Sequence, residues 1–181
     1  MNVGWANAVP DANATVDFNV SGSPLQFTGL GYHDQNWGLS PFTNDVNHTY
    51  WGHARVGPYS VVFSDVQSPG AGGDFVETFS ATVVEDGKFV ELSCAENAVV
   101  VRPWGGNDEY PPTTGSPPPA GVEIVFQLSE GNTLRLNVTN ELVIDNQDYY
   151  QRFIGSVEGT LNDTEVITGR ALYEQFKMIS A

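Results

Sequence analysis

Hydrophobic and polar residues alternate along most of the chain, with the period of two that half-buried β-strands show. In residues 14–20, for example, Val16, Phe18 and Val20 fall on one face and polar residues on the other. Short turn sequences separate such segments, and Asp86-Gly87 is a strong hairpin signal. The predicted strands cover residues 14–20, 25–29, 50–56, 59–65, 75–84, 89–94, 97–102, 122–128, 133–144, 150–161 and 165–177.

This order of hairpins predicts an all-β, antiparallel barrel of about 8–10 strands in a single domain, residues 1–181, with residues 1–12 as a lead-in. A barrel is favoured over a Greek-key sandwich because consecutive hairpins close it without leaving exposed edges. Only the last segment allows a helix, since Leu172, Phe176 and Ile179 have helical spacing. The alternation before them favours a strand to about Phe176.

A proline-rich segment, residues 103–120, interrupts this rhythm and is predicted to be a loop outside the sheet. Two interpretations stay open. The loop either presents Trp104 and Tyr110 to an apolar ligand, or it is a stiff surface connection.

The charge balance limits the possible partners. The chain has 22 acidic and 7 basic residues, a formal net charge of −15, which argues against nucleic acid and anionic membrane surfaces. No apolar run is long enough to span a membrane, and the first residues do not resemble a signal peptide. We expect a cytoplasmic protein, although five sequons leave a secretory compartment open: Asn13, Asn19, Asn47, Asn137 and Asn162.

The metal-binding residue types do not form a recognisable site. Cys94 is the only cysteine, which excludes an internal disulfide, and its alternating surroundings predict a buried thiol. His33, His48 and His53 lack the spacing that places two zinc ligands on one face, and His48 is expected to be exposed within its sequon. No metal is predicted.

The glycine-rich run at residues 29–38 is the densest group of polar candidates. If it is a strand, alternation puts His33 and Trp37 on one face, and Asp34 and Asn36 on the other. The run either directs polar groups into a cavity or forms a barrel corner with structural hydrogen bonds.

Aromatic residues are frequent enough to build either a core or the wall of an apolar cavity. Trp51, Tyr59 and Tyr173 are such candidates, with His53 on the same strand face as Trp51. A lining of this kind with a few polar groups suits a small hydrophobic ligand.

Several motifs together resemble the fungal Diels–Alderase family, within the AttH-like and carotenoid 1,2-hydratase (hydroxyneurosporene synthase) superfamily. They are GYHDQNWG at residues 31–38, YWGHARVGPYS at 50–60, VGWANAVPDA at 3–12 and GRALYEQF at 169–176. The resemblance implies an N-terminal β-sandwich followed by a C-terminal lipocalin-like β-barrel. This chain is similar to the C-terminal half, so the resemblance implies a β-sandwich domain as its partner.

The resemblance also implies a function: cofactor-free, stereoselective [4+2] cyclisation of a linear polyene polyketide or polyketide–peptide. Such a reaction develops little charge and needs mainly a shaped apolar pocket with a few hydrogen bonds. Under this hypothesis Asn36 anchors a carbonyl, and Tyr59 and Tyr173 supply hydroxyl donors. The expected substrate-binding residues are His33, Asp34, Trp37, Trp51, His53 and Trp104.

Two other functions remain open at this point. In a hydratase acting on an apolar alkene, His33 and Asp34 would be the acid and base. A lipocalin-like carrier would bind an apolar metabolite and return it unchanged.

Overall fold

The structure is a computed structural model and describes residues 3–179. Its strands are all antiparallel. The elements are β1 Val3–Val20, β2 Ser23–Gly38, α1 Phe42–Asp45, β3 His48–Val56, β4 Tyr59–Pro69, β5 Phe75–Glu85, β6 Lys88–Ser93, β7 Val99–Trp104, β8 Gly121–Gln127, β9 Thr133–Asn146, β10 Tyr150–Leu161 and β11 Val166–Lys177.

The chain forms two compact units, residues 3–39 and residues 40–179. The first unit is a long hairpin of β1 and β2, joined by a tight turn in which Ser21 and Gly22 both have positive φ. Its strands are longer than predicted, because residues 3–12 of the expected lead-in pair with the glycine-rich run. Gly4 lies opposite Trp37, and a Cβ on Gly4 would come within 2.3 Å of the indole.

The second unit is a nine-stranded sheet in the order β6-β5-β4-β3-β11-β10-β9-β8-β7. The sheet curls until β7 lies against β4 and β5. The backbone N–H of Val101 on β7 donates to Asp65 Oδ2 on β4 at 3.1 Å, which ties the two strands together. The predicted all-β, antiparallel fold is therefore confirmed, and the predicted tail is strand β11.

Because side chains alternate between the two faces of each strand, one set of apolar side chains points into the interior of the curled sheet. Fully buried core side chains come from both halves of the sheet: Val61, Phe63, Val83, Val99, Val101, Val122, Ile124, Phe126, Leu134, Leu136 and Phe153. Among residues 3–179, no helix has the length and apolar composition needed to cross a membrane.

The proline-rich loop is shorter than the sequence predicted. Pro103 and Trp104 belong to β7, opposite Val122 and Gly121, so the loop covers residues 105–120. Proline can join this ladder because β7 is an edge strand, where a missing backbone N–H leaves no partner unsatisfied.

Candidate functional site

One end of the curled sheet has polar side chains in its interior. Strand register brings them level: Tyr50 lies opposite Asp65 and Gln175, while His48 lies opposite Gln67 and Lys177. Gln151 continues the row beside Gln175. We call this group the interior polar layer: His48, Tyr50, Asp65, Gln67, Gln151 and Gln175, each at most 6% exposed.

Many polar atoms of this layer have no hydrogen-bond partner within the protein. They are both ring nitrogens of His48, the Tyr50 hydroxyl, Asp65 Oδ1 and the Oε1 atoms of Gln67, Gln151 and Gln175. A buried polar atom without a partner costs about 1–3 kcal/mol, and native structures contain few of them. Either ordered water or a bound polar ligand can satisfy such a group of buried polar atoms.

Burial also changes the ionisation of the layer. It lowers the pKa of His48 to about 4, helped by the charge of Arg102, so the imidazole is neutral at pH 7. It raises the pKa of Asp65 to about 6, against the opposing effects of the Val101 N–H and the Arg102 guanidinium. Burial likewise raises the pKa of Tyr50, which keeps its hydroxyl a proton donor.

Tyr173 lies one level deeper, on the same interior face. It pairs with Gly52, its ring stacks on Phe153 at 4.7 Å between centroids, and its hydroxyl lies near the Asn140 side chain. Burial raises the pKa of this hydroxyl. Of the predicted site residues, Tyr173 is the one adjoining the interior polar layer.

The loop of residues 105–120 reaches this layer through Tyr110. The Arg102 guanidinium lies 3.7 Å from the centre of the Tyr110 ring, and the His48 ring packs edge-on against it at 5.1 Å. The Tyr110 hydroxyl donates to Glu77 Oε1 at 3.4 Å. Tyr110 therefore packs against the interior polar layer.

An open groove of about 480 Å³ adjoins the layer at Gln67. It is lined by Gln67, Phe75, Glu77, Thr78, Phe79, Cys94 and Glu96. Cys94 is exposed, so its predicted burial is wrong. It follows β6, which is an edge strand with a ladder partner on one side only.

Tyr59 and Trp104, which were also predicted for the site, lie away from the interior polar layer. Tyr59 is near the opposite end of the interior, where its hydroxyl donates to Glu85 at 3.0 Å. Tyr59 pairs with Val56, whereas Tyr173 pairs with Gly52. These two β3 residues are four positions apart, which corresponds to roughly 13 Å along a strand. Trp104 lies over a separate groove of about 280 Å³ with Thr139 and Thr168, and its indole N–H donates to Val138 O at 3.2 Å.

Trp51 and His53 point to the opposite face of β3 from the interior polar layer. Alternation separates them from Tyr50 and Gly52, whose side of the strand is occupied by Phe63 and Tyr173. Trp51 is half-buried and His53 is buried.

The remaining predicted site residues are on the hairpin unit. Asp34 Oδ2 accepts hydrogen bonds from the Trp5 indole at 2.7 Å and the Tyr32 hydroxyl at 3.0 Å. This places Asp34 on the face that alternation predicted for it. His33, Asn36 and Trp37 are exposed, and Trp37 retains 56% of its accessible surface.

Most of the interior polar layer was missed by the sequence reasoning. His48 was expected to be exposed, yet it is fully buried between Gln67 and Lys177. A usable signal was present: polar residues replace apolar ones at the interior positions where β4 and β11 end, at Asp65 and Gln67 and at Gln175 and Lys177. No group of three or more potential metal ligands occurs among residues 3–179.

Comparisons with known proteins give consistent matches. A family model described as Diels-Alderase-like matches residues 2–101. The chain is 44% identical over 176 residues to the quinolone epoxide rearrangement protein penF of Penicillium thymicola, which covers 97% of this chain and 48% of that protein. It is 40% identical over 176 residues to the quinolone epoxide rearrangement protein asqO of Emericella nidulans, with 97% and 47% covered.

Solved structures share the fold at low identity. A crystal structure of CghA with Sch210972 matches at a TM-score of 0.75 and 18% identity, covering 99% of this chain and 55% of that one. Kievitone hydratase from Nectria haematococca matches at a TM-score of 0.61 and 14% identity, covering 98% and 53%. These matches agree with the expected lipocalin-like all-β fold. The chain spans about half the length of the curated relatives it matches.

Proposed function

The chain belongs to the Diels-Alderase-like family, and on that premise we propose that it takes part in the cofactor-free rearrangement of a quinolone epoxide in fungal secondary metabolism. The observation that carries the proposal is the identity of 44% and 40% to two proteins named for that rearrangement. The interior polar layer supports it, because the layer holds a carboxyl, a neutral imidazole and a phenol in one buried place.

Epoxide opening needs a proton donor at the ring oxygen, and Asp65 has suitable properties. Its Oδ2 is held by the Val101 N–H and by Arg102 Nη1 at 3.4 Å, which leaves Oδ1 to carry the proton. A pKa of about 6 keeps part of the carboxyl protonated near neutrality.

The proposed step conserves mass. The epoxide C–O bond breaks, its electron pair goes to the oxygen, and that oxygen receives the Asp65 proton. The carbon left electron-poor then receives the electron pair of a neighbouring C–H bond as a new C=C bond, and the Asp65 carboxylate takes back the released proton, with neutral His48 as a second acceptor. Tyr50 can donate a hydrogen bond to the developing oxyanion.

The test is incubation of a synthetic quinolone epoxide with the chain, followed by chromatography and mass spectrometry. We expect an isomer of unchanged mass. Because the matched relatives are about twice as long, the assay is run with the chain alone and with the unmatched part of the Penicillium relative added. Unchanged substrate in both arms would refute the proposal, and so would a product heavier by one water, because that diol arises by hydrolysis of the epoxide without rearrangement.

The acid is tested by Asp65→Asn. We expect at least a hundredfold loss of rate, the usual scale of general acid catalysis. In the unsubstituted chain the rate should fall as the pH rises through about 6, because the protonated carboxyl is the donor. Asp163→Asn is the matched control, since that side chain is 82% exposed, and it should leave the rate unchanged.

A second candidate is the [4+2] cyclisation of a linear polyene, supported by the description of the family model and by the sequence resemblance. It too conserves mass, so the same assay with a linear polyene distinguishes the two by substrate. The β-sandwich partner and the roles of Asn36, Tyr59 and Trp51 remain proposals under this candidate.

A further inference from the structure

We propose that the Tyr110 ring occupies an aromatic subsite of the interior polar layer, and that a neutral heteroaromatic ligand displaces it and binds between Arg102 and His48. The proposal rests on the proposed function only in the choice of heterocycle. It assigns a ligand position to the layer and a displaceable side chain to the loop of residues 105–120.

The environment of Tyr110 already has the form of an aromatic binding site. Arg102 lies 3.7 Å from the ring centre, a close cation–π distance. The His48 ring meets it edge-on at 5.1 Å and 81°. Any flat ring in this position keeps both interactions.

Tyr110 leaves the polar atoms around it without hydrogen bonds. Its hydroxyl is directed to Glu77, not to His48, Tyr50 or Gln67. A heterocycle with a ring N–H and a ring carbonyl has the same flat shape and adds one donor and one acceptor. It must be neutral, because burial already disfavours charge on His48 and Asp65.

The attachment of Tyr110 permits it to leave. Its hydroxyl makes one hydrogen bond of 3.4 Å, at the long end of the range. The loop begins with Gly105 and Gly106, both with positive φ, where glycine allows backbone rearrangement at low cost. None of residues 105–111 forms a ladder with a neighbouring strand.

Displacement would also create the path into the layer. Glu77, which accepts the Tyr110 hydrogen bond, lines the 480 Å³ groove, and so does Gln67. With Tyr110 withdrawn, the groove and the interior polar layer become one continuous space.

The first experiment measures binding of 2-quinolone to the full chain by calorimetry. Tyr110→Ala should bind at least about tenfold more tightly than the unsubstituted chain, since no side chain competes for the subsite. Tyr110→Phe keeps the ring and should bind within about threefold of the unsubstituted chain. Phe89→Ala removes an aromatic ring that is 67% exposed on β6 and should change nothing. Naphthalene, which lacks donor and acceptor, should bind at least tenfold more weakly than 2-quinolone.

Equal affinity of the alanine and unsubstituted chains, or equal affinity for naphthalene, would overturn the proposal. If Tyr110→Ala does not fold, hydrogen exchange and tyrosine iodination of the unsubstituted chain decide. Saturating 2-quinolone should slow exchange at residues 48–50 and should raise the rate at which the Tyr110 ring is iodinated, and slower iodination of Tyr110 would overturn the proposal. These readouts need no turnover, so a chain that binds 2-quinolone as expected but leaves the epoxide unchanged refutes the proposed function alone.

Discussion

At the scale of single residues, His48 and Asp65 have opposite pKa shifts within one buried layer. The pKa of His48 is lowered to about 4 and that of Asp65 is raised to about 6, and burial is the main cause of both. Burial disfavours the charged form of each group. Histidine is charged when protonated and aspartate when deprotonated, so burial shifts the two pKa values in opposite directions. Both side chains are therefore mainly uncharged in the folded state near pH 5.

We predict that these two groups oppose each other in the pH dependence of stability. Between about pH 4 and 6.5 the unfolded chain binds a proton at His48 that the folded chain does not, so this residue makes stability rise with pH. Between pH 3.8 and about 6 the folded chain holds a proton at Asp65 that the unfolded chain has lost, so this residue makes stability fall. Each effect is on the order of 3 kcal/mol.

Single substitutions should separate the two contributions. Asp65→Asn should make the free energy of unfolding rise more steeply from pH 4 to 6.5 than in the unsubstituted chain, and His48→Gln should make it rise less or fall. Urea denaturation at four pH values measures both slopes. Parallel curves for all three proteins would show that neither pKa is shifted.

At this scale the sequence predicted residue types better than their positions. Tyr173 was expected to offer a hydroxyl and adjoins the interior polar layer. Asp65 attracted no functional interpretation and His48 was weighed only as a zinc ligand, because the register that places His48 beside Gln67 and Tyr50 beside Asp65 is encoded by no local motif.

At the scale of the elements, a missing side chain on β3 makes room for the deepest aromatic residues. A Cβ at Gly52 would lie 2.5 Å from the Phe63 ring and 2.9 Å from Tyr173 Cβ. The close approach of β4 and β11 side chains across β3 therefore requires glycine.

Gly52→Ala should consequently destabilise the sheet by about 1–3 kcal/mol through overpacking. Gly29→Ala on β2 is the matched control, since a Cβ there meets nothing within 4 Å, and its effect should stay within about 0.5 kcal/mol. Thermal unfolding of both variants measures the difference. A Gly52 variant as stable as the control would mean that Phe63 and Tyr173 rearrange without cost.

The strands themselves were largely predictable, whereas their grouping was not. Alternation and turn residues located the strands of the nine-stranded sheet to within a few residues, including β5 and β6 on either side of Asp86-Gly87, but they missed residues 3–13 of β1 and 30–38 of β2. The same signals could not reveal that residues 3–12 pair with residues 31–38 in a separate hairpin unit, because the paired residues, from Ala12 with Gly31 to Val3 with Gly38, are far apart in the sequence.

At the scale of the whole molecule, charge is the dominant property. A net charge of −15 over 181 residues produces self-repulsion that favours expansion of the chain. Salt screens such repulsion within about 10 Å at 0.1 M.

We therefore predict that sodium chloride stabilises the protein. The melting temperature should rise by several degrees between about 10 and 500 mM salt at pH 7.5, and less at pH 5, where part of the carboxylates is neutralised. A melting temperature independent of salt would mean that the seven basic residues already compensate the acidic ones locally. Potassium chloride, which screens equally, is the control for ion-specific effects.

The family was predictable from sequence, because short motifs are spread over almost the whole chain, and the family match confirms that resemblance. The substrate was less predictable from the sequence. The sequence favoured a polyene, whereas the relatives are named for a quinolone epoxide. An all-β cavity serves either chemistry, and a few interior side chains decide between them.

Strands β6 and β7 are not paired with each other, so the nine-stranded sheet does not close into a barrel through strand pairing. In a closed barrel the number and shear of the strands fix the diameter of the bore. Here β6 and β7 are the two ends of the sheet, and β7 is held against β4 through the Asp65 carboxylate. The width of the interior at this seam is therefore set by the contacts of Asp65 and β7, and not by a strand ladder.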